Sequence, residues 1–214
     1  MKCDDLKKII GDKQDVKELP ADFLDAVLTP YLREKFVSVS PIVVRIKEVR
    51  ERAAEIAKAK NEKEYQNDGF KLQQRFEVGQ AAEVACENRL GLPYGTIYDS
   101  SVGNNVDYHH PDMIRLGYRI GCKSSQIHNA PMISPNSEYP NIVCLVNYID
   151  GHFPVAYVAV LGVATQKLVR EYGSFALLRV AEKRDKVGFY GFDYLEPLPK
   201  IELSKEISCD KAGV

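Results

Sequence analysis

Apolar positions recur at helical steps through the first third of the chain and in near-continuous runs through the second half. After Pro20-Ala21-Asp22, the residues Phe23, Leu24, Val27, Leu28 and Leu32 share one helical face, with Pro30 expected to interrupt it. Ser40-Pro41 supplies an N-cap and a proline suited to a first helical turn. Behind it Ile42, Ile46, Val49, Ala53 and Ile56 form one apolar stripe, opposite Lys47, Glu48, Arg50, Glu51, Arg52 and Glu55. This predicts an amphipathic helix that packs on a partner or on its own core. The stretch 58–68 is nearly all polar and ends at Gly69, which predicts a boundary between an N-terminal helical segment, 1–69, and a core over 70–200.

From Phe70 the pattern changes. A helix is expected through Phe76, Gly79, Ala82, Glu83, Cys86 and Leu90, stopping at Gly91-Leu92-Pro93. Strand-like runs follow at 118–120, 142–149, 155–163, 175–180 and 187–194, with a turn at Gly151 and a short helix over 166–172. Helix, strands, short helix and further strands in that order make an α+β arrangement. The tail, 201–214, is charged.

Composition narrows the function classes. Lys+Arg total 29 against Asp+Glu 30, a formal net charge of −1, so the chain is no bulk polybasic nucleic-acid binder, although a local basic groove remains open. No apolar run is long enough for a transmembrane helix, and the start Met1-Lys2-Cys3-Asp4-Asp5 lacks a secretory apolar stretch, so a cytoplasmic setting without membrane contact is expected. The cysteines Cys3, Cys86, Cys122, Cys144 and Cys209 are odd in number and in no close metal-ligand spacing, which reads as free thiols, several of them core filler.

The chemistry concentrates in Asp107-Tyr108-His109-His110-Pro111-Asp112 and Gly121-Cys122-Lys123-Ser124-Ser125-Gln126. The residues between, 113–120, fit a β-turn and two short strands, a hairpin that would set Asp112 beside Lys123. A carboxylate and an ammonium so placed can share one phosphodiester, the carboxylate holding a divalent cation and the lysine stabilising phosphorane charge or orienting water. The helix before them offers Glu83 as a second carboxylate, with Glu77 and Glu87 near it in sequence.

These residues resemble the PD-(D/E)xK nuclease superfamily of restriction enzymes, junction resolvases and repair nucleases. The resemblance spans roughly residues 70–200 and rests on Gly79-x-x-x-Glu83, Pro111-Asp112 and the strand Ile120-Gly121-Cys122-Lys123-Ser124-Ser125-Gln126. It implies a mixed central sheet flanked by helices in a three-layer, α/β/α-like core. It further implies a DNA phosphodiester hydrolase using Mg2+ or Mn2+. Asp112 and the Cys122 carbonyl would be metal ligands, Lys123 the catalytic lysine, and Glu83 the helix acid. Gln126 is the polar residue that often follows the lysine. Arg75, Arg115, Arg119 and Ser124 would contact DNA, and a homodimer is expected because a two-stranded break needs two sites. One departure stands out: Gly121 occupies the acidic position two before Lys123. Either Glu83 supplies that carboxylate, or the site is silent; Asp107 is a third candidate.

Other readings compete. The stretch 106–111 also looks like the opening of an HNH nuclease motif, but Pro131, Pro135 and Pro140 follow His128-Asn129 too closely for the helix that motif needs. A zinc site from His109, His110, His128 and Cys122 is disfavoured because adjacent histidines on extended chain point to opposite sides. The non-enzyme alternative is a catalytically silent nuclease-fold module that binds nucleic acid or a protein partner.

Overall fold

The computed structural model describes residues 1–47, 49, 50, 53, 72–97, 111–113, 116–149, 155–178 and 185–201. In chain order the elements are α1 (Cys3–Ile10), a π-helical stretch Phe23–Leu28 running into α2 (Thr29–Val37), β1 (Ile42–Arg45), α3 (Leu72–Leu90), β2 (Gly121–Gln126), β3 (Met132–Ile133), β4 (Asn141–Ile149), β5 (Val155–Ala164), α4 (Gln166–Glu171), β6 (Gly173–Ser174) and β7 (Val187–Phe189). The main sheet has the order β1-β5-β4-β2. It is mixed, since β2 pairs parallel to β4 while the β4–β5 and β1–β5 pairs are antiparallel. A small antiparallel sheet, β3-β7-β6, lies apart from it.

The apolar run of β4 is buried on both faces, as a central covered strand must be. Alternation divides it: Ile142, Cys144 and Val146 enter one core, Val143 and Leu145 the other. The first core is closed by Val78, Ala81, Ala82, Ala85 and Cys86 of α3, whose small side chains let the helix sit close to the sheet. The second gathers Leu6, Ile10, Phe23, Tyr31 and Leu32 with Phe189 of the small sheet. There the Tyr31 hydroxyl donates to the Tyr190 carbonyl at 2.8 Å. A mixed sheet covered on both faces is the α+β fold that the order of elements implies.

Local departures have physical causes. Ile42–Arg45 is a strand, not the first turn of a helix. The β-branched Ile42-Val43-Val44 alternates, with Val44 buried and Val43 55% exposed, and pairs with the edge of β5. Helical residues begin only at Ile46, so Ile46, Val49 and Ala53 keep the buried stripe while Ile56 lies outside the described residues. The segment before residue 69 thus gives the central sheet a strand. Pro30 does not end its helix; it sits in the first turn of α2, where the hydrogen-bonding register changes from π to α. Residues 118–120 form no strand, since pairing with β4 starts at Gly121. Phe175–Leu177 is a 3-10 turn capped by Ser174 Oγ. β7 is only three residues long and is followed by a second 3-10 turn, Phe192–Tyr194. α3 ends as expected at Gly91, whose φ of +69° suits a residue without Cβ. Among the described residues no helix is long and apolar enough to cross a membrane. Residues 202–214 of the charged tail lie outside them.

Candidate functional site

β2 is the end strand of the main sheet. Its ladder to β4 opens with the Gly121 N–H donating to the Pro140 carbonyl at 3.0 Å and closes with the Ile127 N–H donating to the Val146 carbonyl at 3.1 Å. Successive residues of an extended chain turn their N–H and C=O groups to opposite edges. Cys122, Ser124 and Gln126 therefore present theirs to the edge away from β4. Asp112 sits on that edge, where its Oδ2 accepts the Cys122 N–H. The intervening loop is tighter than a hairpin: Met113 N–H donates to the Ile120 carbonyl at 3.1 Å, and the Leu116 and Tyr118 N–H groups both donate to the Met113 carbonyl. Asp112 thus lies against the backbone of the Gly121-Cys122-Lys123 strand, held there at Cys122.

Gly121 is directly opposite Asn141 in the β2–β4 register. A Cβ on Gly121 would lie 2.5 Å from Asn141 Oδ1, 2.9 Å from Tyr139 Cε2 and 3.4 Å from Asp112 Oδ2. An amide oxygen and a carboxylate oxygen thus flank the point where the family pattern puts an acid. Asn141 is 1% exposed, and its Nδ2 donates to the Tyr139 carbonyl at 3.3 Å, which fixes which way the amide points. Among the described residues its Oδ1 has no hydrogen-bond partner. An unmet buried acceptor costs about 1–3 kcal/mol, so such an atom asks for a water or a ligand. Asn141 is the residue that sequence reasoning missed; it stands just before the apolar run 142–146, and only the strand register sets it opposite Gly121. Gly121→Ala is expected to cost about 1–3 kcal/mol, because Asn141 and Tyr139 must both give way. Urea unfolding measures this, and wild-type stability would show the neighbours yield freely.

The three acids of α3 separate cleanly. Glu77, 2% exposed, accepts from the Tyr148 hydroxyl at 2.9 Å and pairs with Arg50 at 3.4 Å. Glu87, also 2% exposed, accepts the N–H groups of Gly95 at 2.9 Å and Ile97 at 2.7 Å. Both are structural. Glu83 instead takes one hydrogen bond, from Gln80 Nε2 at 2.8 Å, and feels the charges of both Asp112 and Lys123. Burial first and then the Asp112 charge push its carboxyl up to about 8, with Lys123 pulling the other way. Asp112 Oδ2 and Asn141 Oδ1, both hard oxygen donors, face the Gly121 gap, and Glu83 on α3 lies near enough to feel the Asp112 charge.

The raised Glu83 has a consequence for stability without metal. The folded protein keeps this proton to about pH 8, whereas the unfolded chain releases it near its ordinary 4.5. Stability contributed by the neutral acid is full below the unfolded value and declines as pH rises through this window. In chelator, denaturation midpoints should fall from pH 5 to pH 8 in the wild type and flatten in Glu83→Gln. A parallel fall in both proteins would assign the slope to other groups.

Side-chain alternation along β2 sets Lys123 on the face of Gly121, and Cys122, Ser124 and Gln126 on the other. Gln126 is therefore not brought to Lys123, and its carbonyl accepts the Asn129 N–H at 2.9 Å in the turn that ends the strand. Arg119 is exposed and pairs with Glu138 at 2.9 Å. The Arg75 side chain, Arg115, Asp107, His109 and His110 lie outside the described residues. The thiols expected as scattered filler converge instead: Cys86 of α3, Cys122 of β2 and Cys144 of β4 have their sulfurs within 4.8 Å of one another. No protein-family model, curated protein or solved structure matches the chain.

Proposed function

We propose that the protein is a metal-dependent deoxyribonuclease of the PD-(D/E)xK type. The observation that carries this reading is the convergence of Asp112 Oδ2 and the partnerless Asn141 Oδ1 on the space beside Gly121, with the charges of Glu83 and Lys123 in reach. Asn141 then supplies a neutral oxygen where the family has an acid, and Glu83 supplies the second negative charge. Mg2+ or Mn2+ would be held by Asp112, Glu83, Asn141 Oδ1 and the Cys122 carbonyl. Such an ion, when bound, lends Lewis-acid stabilisation to charge on the phosphate and the leaving 3′-oxygen. Lys123 aligns the attacking water and offsets charge developing on the phosphoryl oxygens. Gln126, across the strand, is left a phosphate contact. Arg75, Arg115, Arg119 and Ser124 would meet the DNA backbone, Arg119 exchanging Glu138 for phosphate. Two such sites in a homodimer would cut both strands, in a cytoplasmic setting where the thiols stay reduced.

Gly121 favours a second reading, a silent nuclease-fold module that binds nucleic acid or protein without cutting. Supercoiled, linear and branched DNA incubated with Mg2+ or Mn2+ separates the two. Cutting by the wild type and not by Lys123→Ala is the expected result. Salt-sensitive DNA binding without cutting favours the silent module, and neither cutting nor binding removes the nucleic-acid reading altogether.

A further inference from the structure

We propose that Cys86, Cys122 and Cys144 form a three-sulfur site for one soft metal ion, Cu+, between α3 and the main sheet. This does not depend on the nuclease reading. The three thiols come from three separate elements yet meet at one point: Cys86 Sγ lies 3.6 Å from Cys122 Sγ and 3.5 Å from Cys144 Sγ, and all three sulfurs fall within 4.8 Å. At a metal–sulfur distance of about 2.3 Å, three thiolates around one ion stand roughly 4 Å apart, so little movement is needed. The fold makes the arrangement directly. Ser124 pairs with Cys144 and Cys122 with Ile142, so alternate side chains of β2 and β4 set Cys122 and Cys144 on the face that α3 covers with Cys86.

The surroundings select the ion. Cys86 and Cys144 are fully buried among aliphatic side chains, and Cys122 is partly buried beside them. Among the described residues the cluster offers three sulfurs, whereas a structural zinc site asks for four ligands. Soft sulfur donors in small number suit Cu+. Without metal, the two hydrogen bonds at each thiol act in opposite directions, and burial helps hold all three well above the usual thiol range. Cu+ entry therefore replaces S–H bonds by S–Cu bonds and releases protons to solvent, with no change of oxidation state. A bound ion would tie α3, which carries Glu83, to the strands that carry Lys123 and Asn141.

The test uses the full chain, kept anaerobic in a non-thiol reductant and titrated with Cu+ against a chromogenic chelator. The wild type is expected to take one Cu+ per chain. Cys86→Ser, Cys122→Ser and Cys144→Ser should each lose about 100-fold in affinity, while Cys3→Ser, in the other core, should lose none. Copper-edge X-ray absorption on the wild type needs no variant and should show a shell of sulfur alone. Failure to hold Cu+ against the chelator, an oxygen or nitrogen shell, or unchanged affinity in the three serine variants overturns the proposal.

Discussion

Asp112→Asn is expected to lower metal-dependent DNA cleavage by about 100-fold or more while the protein stays folded. Asparagine keeps an oxygen that can accept the Cys122 N–H, so the cap on the open edge of β2 survives. What disappears is the negative charge that faces the Gly121 gap and raises Glu83. Two readouts should move together. Mn2+ affinity, followed by calorimetry or by the free-ion magnetic resonance signal, should fall with the cleavage rate, and the Glu83 carboxyl should relax toward its ordinary range. Unchanged Mn2+ affinity would reduce Asp112 to a strand cap.

Glu87→Ala should be the most damaging of the α3 substitutions for stability, at about 3–5 kcal/mol. Its carboxylate holds the N–H groups of Gly95 and Ile97, tying the segment after α3 back onto the helix. Ile97 is 1% exposed, so its N–H finds no water when the carboxylate goes. Glu87→Gln keeps one acceptor oxygen and should lose roughly half as much. Glu83→Gln, one turn away, should gain on the order of 1 kcal/mol at neutral pH, because it removes the cost of holding a proton that the unfolded chain has already released. The urea midpoint of each variant checks the series. Equal losses at Glu83 and Glu87 would mean that both carboxylates are structural.

The fold was readable where one local signal acted alone. The apolar runs of β4 and β5 and the stop at Gly91 each have one interpretation, and each element stands where that interpretation puts it. Reading failed where two periods overlapped. Ile42, Ile46 and Val49 suit a helical stripe, but Val43 and Val44 between them are strand formers, and pairing with β5 took the first four residues. Pro30 looked like a break because a proline inside a helix usually is one; here a looser turn before it absorbs the missing N–H.

The candidate site was legible in its charged members and not in its neutral ones. Asp112, Lys123 and Glu83 carry chemistry that a short motif reveals. Asn141 becomes visible only through strand register, since nothing in its neighbours' spacing says it lies opposite Gly121. The three thiols, separated in sequence by 36 and 58 positions from Cys86, meet for the same reason. Convergence across a parallel strand pair and a covering helix leaves no local trace.

The most direct measurement is a plasmid assay on wild type and Asp112→Asn, in Mn2+ and in chelator, with the chemistry of the cut ends determined. Relaxed and linear products from the wild type in Mn2+ alone, with 3′-hydroxyl ends and nearly none from Asp112→Asn, is the expected result. Equal cutting by both proteins, or cutting that persists in chelator, would contradict a metal-dependent site built on Asp112.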